Sequence, residues 1–211
     1  MLFRSTAFVE EFAVFETAHS YEAVAVSEET QESELYKALT LAVRDYVRKS
    51  GFTDVVLGLS GGIDSAVVAA VAVKALGAEH VHAVMMPTRF TADLSVTEAE
   101  KLAANLGIHY VVRPIEPLFA AFVSELSADF KDRKPDVTEE NLQARIRGVL
   151  LMAYSNKFGQ LVLTTGNKSE TAVGYSTLYG DTAGAFAPIK EVFKTRVWAL
   201  AREIKREAGF E

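Results

Sequence analysis

Apolar positions recur at three- and four-residue steps from residue 33 onward, at Leu35, Leu39, Ala42, Val43, Tyr46 and Val47, and that period predicts an amphipathic helix ending near Gly51. The pattern then changes. Residues 54–59 (DVVLGL) are a short, mostly apolar run of strand length, the Gly-rich SGGIDS follows, and residues 66–76 are almost all small and apolar. Such a run suits a helix pressed against a sheet and closed by Gly77. Residues 80–86 (HVHAVMM) read as a second strand, 95–106 as a helix opened by a Ser95/Glu98 capping box and stopped at Gly107, and 108–113 (IHYVVR) as a third strand. Helices over 117–129 and 139–157, separated by the polar loop KDRKPDVT, lead to a fourth strand at 160–165 (QLVLTT). The stretch 174–188 is Gly-rich and irregular, and Val192, Val197, Leu200, Ala201 and Ile204 mark a last helix over 191–207. This alternation predicts an α/β domain with a doubly wound, mostly parallel sheet and helices on both faces.

Residues 1–32 stand outside the alternation. Eight Glu occur from Glu10 to Glu34 with no Lys or Arg between them, the chemistry of an arm or linker. Its opening, AFVEEFAVFE (7–16), has enough Phe and Val for a strand, paired either with a neighbouring domain or with the edge of this one. The 211 residues include 22 Lys plus Arg against 28 Asp plus Glu, a formal net charge of -6. That balance argues against a surface built for nucleic acid or for anionic membrane, so an anionic ligand must be held by a local site. With no Cys, a disulfide scaffold, a thiolate metal site and a cysteine nucleophile are all excluded within these residues. Four His (19, 80, 82 and 109) are too few and too scattered for a His-rich metal centre. No run reaches the roughly 18 apolar residues of a membrane span, and the start lacks a signal-peptide pattern, so the expected compartment is the cytoplasm.

Ligands of a doubly wound sheet bind beyond the carboxyl ends of its strands, which directs attention to SGGIDS (60–65) and TGNKSE (165–170). In the first, Gly58, Gly61 and Gly62 free backbone N–H groups to face a phosphate at a helix N-terminus, and Ser60 and Ser65 add hydroxyls. It is neither a Walker A loop, having no Gly-Lys-Ser/Thr, nor a dinucleotide fingerprint, since Ser60 stands where the second Gly belongs. Asp64 is an acid inside an anion nest. A lone carboxylate would repel a phosphate there, so a bridging Mg²⁺ is expected, with Glu170 as a second carboxylate. A tight turn with Asp64 as a helix cap is the lesser reading of SGGIDS, whereas on their own Glu170 reads as a helix-start acid, Arg145 and Arg147 as solvated arginines, and Lys194 as an exposed helix lysine.

SGGIDS after a strand resembles the pyrophosphate loop of the ATP pyrophosphatases. Together with NLQARIRG (141–148), LTTGNKSE (163–170), GYSTLYGD (174–181) and the Lys194 helix, it resembles the NAD synthetases, specifically the synthetase domain of the glutamine-dependent form, over about residues 33–211. The resemblance implies an adenine nucleotide α hydrolase-like, Rossmann-like fold. It implies ATP-dependent amidation of deamido-NAD through an adenylated intermediate, with ammonia as nitrogen donor. On this family pattern Ser60, Gly61, Gly62, Ile63, Asp64, Ser65, Thr165 and Lys194 bind ATP, with Asp64 and Lys194 in the catalytic roles. Asp64 and Glu170 hold Mg²⁺, and Asn141, Arg145, Glu170, Tyr175, Ser176, Thr177 and Leu178 bind deamido-NAD. The family is dimeric, and the apolar stripe of the 139–157 helix (Leu142, Ile146, Val149, Leu150 and Ala153), continued by Tyr154 and Phe158, would extend to a second subunit.

The sequence departs from the family at three places. Leu178 and Ala185 stand where ammonia-dependent members carry a lysine and an aspartate, so the acceptor must be held differently. Residues 1–32 would be a remnant of a preceding glutaminase domain, and the chain ends at Glu211, ahead of a second mobile loop and a C-terminal lysine, which implies a truncated synthetase domain. Two other readings remain open: another ATP pyrophosphatase such as a tRNA-modifying enzyme, against which the acidic charge counts, and a non-catalytic nucleotide-binding or oligomerisation fragment.

Overall fold

The computed structural model describes residues 7–14, 16 and 29–208. Helix α1 (Gln31–Lys49) starts at Thr30, whose hydroxyl accepts from Ser33 N at 3.1 Å, and carries Glu32 and Glu34 in its first turn and Arg48 and Lys49 in its last, each the sign its helix end favours. Then come β1 (Asp54–Gly58), α2 (Ile63–Leu76), a single 3₁₀ turn, β2 (Val81–Met85), α3 (Asp93–Leu106) and β3 (His109–Val112). Two helices, α4 (Glu116–Leu126) and α5 (Val137–Phe158), precede β4 (Gln160–Leu163), and α6 (Lys168–Ala172) and α7 (Lys194–Ala208) complete the described chain.

The strands form one sheet in the order β3-β2-β1-β4, and every neighbouring pair is parallel. Side chains alternate across it. Val55, Leu57, Val81, Ala83, Leu161 and Leu163 meet α1, α2, α3 and α7 on one face, whereas Val56, Val84 and Val162 meet α4 and α5 on the other. The doubly wound expectation therefore holds. Helix α2 is buried along most of its length, at Ser65, from Val67 through Ala72 and again at Ala75, because it is wedged between the sheet and the pair α1 and α7. That position requires an apolar circumference rather than a stripe. Small side chains let it approach closely, and burying each valine fully is worth about 1.5–3 kcal/mol.

Several local expectations are corrected. Helix α3 begins at Asp93, not Ser95: its N-cap is Ala92, whose carbonyl accepts from Ser95 N at 2.9 Å, and Glu98 pairs with Lys101 instead of closing a capping box. The capping box that does open a long helix is Asp136 with Glu139, so α5 begins at Val137, two residues ahead of the expected start at 139. Residues 7–14 and 16 form no strand. Phe12 and Val14 are 91% and 80% exposed, so this segment is not an edge of the sheet; residues 15 and 17–28 lie outside the described part. No described helix is long and apolar enough to cross a membrane.

The chain passes from β1 outward to β2 and β3 and then returns to the opposite side of β1 with β4. The winding therefore reverses between β1 and β4. A sheet of this kind opens a crevice there, beyond the carboxyl ends of the two strands, and both singled-out motifs fall at its mouth.

Candidate active site

Residues 60–65 turn from β1 into α2 through Gly61, whose φ of +78° is the left-handed region that glycine enters freely. A Cβ at Gly61 would lie 2.2 Å from Ser95 O, so the loop also needs this residue to pass under the start of α3. The two serines brace the turn from inside. Ser65, almost fully buried, donates its hydroxyl to Gly62 O at 3.0 Å and accepts from Ser60 N at 3.2 Å, while Ser60 Oγ accepts from Gly62 N at 3.3 Å. Ser65 is thus a strut, and its hydroxyl proton is spent on the loop. Gly62 caps α2 without any side-chain hydrogen bond, leaving the helix N-terminus and its positive end facing the crevice.

Asp64 sits in the first turn of α2 with both carboxylate oxygens engaged. Oδ1 accepts from Asn167 Nδ2 at 3.0 Å, and Oδ2 is paired with Lys194 Nζ. The carboxylate expected to be unpaired therefore has a cationic partner. Lys194 reaches it from the first residue of α7, a position held by Lys194 N donating to Ser169 Oγ at 3.0 Å. Asn167 is fully buried and caps α6: its Oδ1 accepts from Glu170 N at 3.1 Å, and its own N–H donates to Glu170 Oε2 at 3.0 Å. One asparagine thus touches both acids singled out as cation ligands. The donors fit a hard divalent ion such as Mg²⁺, which takes one or two carboxylates and completes its shell with substrate phosphate and water. Among the described residues no three His, Cys, Asp or Glu gather into a metal cage, so phosphate oxygens would have to supply the rest.

A cleft of about 400 Å³ opens at this point. Of the residues predicted from the sequence it is lined by Ser60, Asp64, Ser65, Thr165, Glu170, Tyr175 and Ser176. Lys194 reaches it through Asp64, and Gly61, Gly62 and Ile63 belong to the turn into α2 without lining the cleft. Asn141, Arg145, Thr177 and Leu178 do not line it and are instead spent on one another. Thr177 Oγ1 donates to Asn141 Oδ1 at 2.7 Å, and Arg145 Nε donates to Leu178 O at 3.2 Å. These bonds dock the 174–182 loop onto α5, where Gly148 and Ala144 lie against the loop backbone. Arg147, two residues along α5, donates to Met86 O at 3.1 Å, and burial pushes its guanidinium pKa down.

Reading the sequence passed over Asn167, Lys190, Asp181 and Thr182. The last three line the cleft, and Asn167 supports it from beneath. A signal for Asn167 was present: Asn167-Lys-Ser-Glu170 has the spacing of a capping box. Nothing local distinguishes Lys190 from any other exposed lysine.

The sequence profile of the NAD synthase family matches residues 35–206. The glutamine-dependent NAD(+) synthetase of Thermotoga maritima is 56% identical over 172 residues, which are 82% of this chain and 30% of that protein. Among solved structures, the glutamine-dependent NAD+ synthetase of Acinetobacter baumannii in complex with ADP superposes with a TM-score of 0.84 at 50% identity, covering 86% of this chain and 34% of the other. The NH3-dependent NAD synthetase of Campylobacter jejuni gives a TM-score of 0.77 at 36% identity over 86% of this chain and 76% of its own. The chain thus spans about a third of the length of its glutamine-dependent relatives and most of the ammonia-dependent one.

Proposed function

The chain belongs to the NAD synthase family, and from that premise we propose that its cleft uses ATP to amidate deamido-NAD, with ammonia as the nitrogen donor. The observation that carries this reading is the convergence of the phosphate loop, Asp64 and Glu170 at the β1/β4 switch point. In the first step an oxygen of the nicotinate carboxylate attacks the α-phosphorus of ATP, the bond to the β-phosphate breaks, and pyrophosphate leaves. In the second, ammonia adds at the activated carboxyl carbon, AMP departs with the carboxyl oxygen, and the nitrogen loses a proton. Neither step needs a protein nucleophile, so the chain's contribution is position and charge.

The phosphates lie against residues 60–65 and the exposed N-terminus of α2, with Thr165 on the opposite wall. Asp64 and Glu170 are the residues that would hold Mg²⁺, which when bound supplies neutralising charge to the pyrophosphate oxygens. Lys194 starts on Asp64 Oδ2 and turns to the phosphates as nucleotide arrives, exchanging one anionic partner for another within reach of its flexible stem. Tyr175 and Ser176 take the acceptor side of the cleft, on a loop whose shape is fixed by Asn141, Arg145, Thr177 and Leu178. Those four residues therefore act on deamido-NAD through the loop. With Leu178 and Ala185 both uncharged, the acceptor is gripped by this loop's backbone and hydroxyls rather than by side-chain charge at those two places.

No cysteine is available to attack glutamine. Calorimetry with ATP and deamido-NAD, beside turnover with ammonium or glutamine, tests the proposal. ATP and deamido-NAD should bind, ammonium should support NAD formation, and glutamine should not. Glutamine-supported turnover by the purified chain, or failure to bind either nucleotide, would overturn it. We place a second copy of the chain against the outer side of α5, as in a dimeric synthetase, and a glutaminase partner as the source of ammonia.

A further inference from the structure

We propose that Asn167 is a positioning residue, which through one buried amide holds Asp64 and Glu170 in a fixed relation so that both can meet a divalent cation arriving with a nucleotide. The inference rests on the reading of the cleft as a Mg·ATP site. Its starting point is an excess in the hydrogen bonding of α6. Capping that five-residue helix needs only an acceptor for Glu170 N, and Ser, Thr, Asp or Asn serve comparably. Asn167 does this with Oδ1 and at the same time extends Nδ2 to Asp64 Oδ1 at 3.0 Å, across 103 positions of sequence. Of the good caps only asparagine has this second function. Aspartate would set like charge against Asp64, and serine or threonine is too short to donate to it.

The two partners of Asp64 differ in mobility. The Lys194 side chain is 39% exposed and hangs on a flexible stem, so it can leave for an incoming phosphate. Asn167 is 0% exposed and its carbonyl is committed to Glu170 N. Turning its amide away would strand a buried N–H without a partner, which is unfavourable. Asp64 therefore keeps its orientation through Oδ1 when Oδ2 is released. Glu170 is held through the same residue, since its Oε2 accepts from Asn167 N at 3.0 Å while its other carboxylate oxygen remains for a cation. An outer residue that orients a ligating carboxylate commonly matters to metal affinity almost as much as the ligand does.

Asn167→Ser keeps a good cap for α6 and removes only the donor to Asp64. Binding of Mn²⁺ to the full chain in the presence of ATP, followed by electron paramagnetic resonance, should weaken by about 10- to 100-fold in the variant, while ATP affinity without metal stays within about twofold. A residue that merely capped α6 would leave the Mn²⁺ affinity unchanged, and a variant binding Mn²⁺ as tightly as wild type overturns the inference alone. A wild type that binds no Mn²⁺ with ATP overturns the nucleotide reading and the inference with it. Should the variant fail to fold, the wild type decides. Crystallised with Mn²⁺ and a non-hydrolysable ATP analogue, it should show Asn167 Nδ2 still on Asp64 Oδ1 and Lys194 turned to phosphate. An Asn167 amide swung away from Asp64 overturns the proposal.

Discussion

Asp64, proposed above as a cation ligand, is a side chain whose charge the fold itself should tolerate losing. Its side chain is 18% exposed, but the lysine it pairs with is 39% exposed and can turn to water, which limits what the pair adds to stability. Asp64→Asn keeps the side-chain volume and can still accept from Asn167, so the thermal midpoint should move little. The charge that would hold Mg²⁺ is gone, however, and Mg·ATP affinity should fall at least about tenfold, since the ligand itself matters no less than a residue supporting it. Isothermal titration of wild type and variant checks this, and equal affinity would remove Asp64 from the metal-binding role. The motif SGGIDS singled out this residue from the sequence. Its pairing with Lys194 was hidden, because the two stand 130 positions apart and the ion pair depends on where α7 docks.

At the scale of elements, the contact of α5 with the 174–182 loop ties the scaffold to one wall of the cleft. A Cβ on Gly148 would lie 3.0 Å from the carbonyl oxygens of Tyr179 and Gly180. Gly148→Val should push the loop outward, reducing stability by about 1–3 kcal/mol through overpacking. It should weaken deamido-NAD binding while ATP binding is largely kept; parallel calorimetric titrations separate the two. A second element contact has a pH signature. Tyr36 of α1 is buried against the common core, and burial, reinforced by the Glu207 carboxylate at the end of α7, raises its pKa to about 12. Its folded pKa lies above the unfolded value of about 10. The neutral phenol therefore contributes stability in full below about pH 10, and that contribution is lost as pH rises toward 12. Denaturant titrations across this range should show a steeper alkaline loss for wild type than for Tyr36→Phe. The sequence period identified both α1 and α5, but not the short α6, which lacks the length for a period to register and is recognisable only by its capping box.

For the whole molecule, the outer side of α5 bears on association. The stripe read along α5 divides: Leu142, Ile146, Leu150 and Tyr154 pack toward the sheet, whereas Val149 and Phe158 are 68% and 64% exposed. A second copy placed on this outer side would meet the same helix of its partner about a two-fold axis, so one changed side chain acts twice. Sedimentation at micromolar concentration should then give a dimer mass, and Val149→Glu should dissociate it, weakening deamido-NAD binding more than ATP binding. A monomer that still binds deamido-NAD tightly would overturn the arrangement.

The fold class and the Gly-rich turn after β1 were both determined locally. Parallel strands buried on both faces need apolar runs, and a loop that meets phosphate needs glycines and small hydroxyls, so these requirements are written into adjacent residues such as 54–65. Tertiary structure decided what those residues are bonded to. It placed β4 beside β1, brought Asn167 and Lys194 onto Asp64, and bonded Asn141 and Arg145 to the 174–182 loop. Each of these is a contact between positions far apart in the chain. Its geometry follows from the winding of the sheet and the docking of helices, which no single stretch of sequence contains.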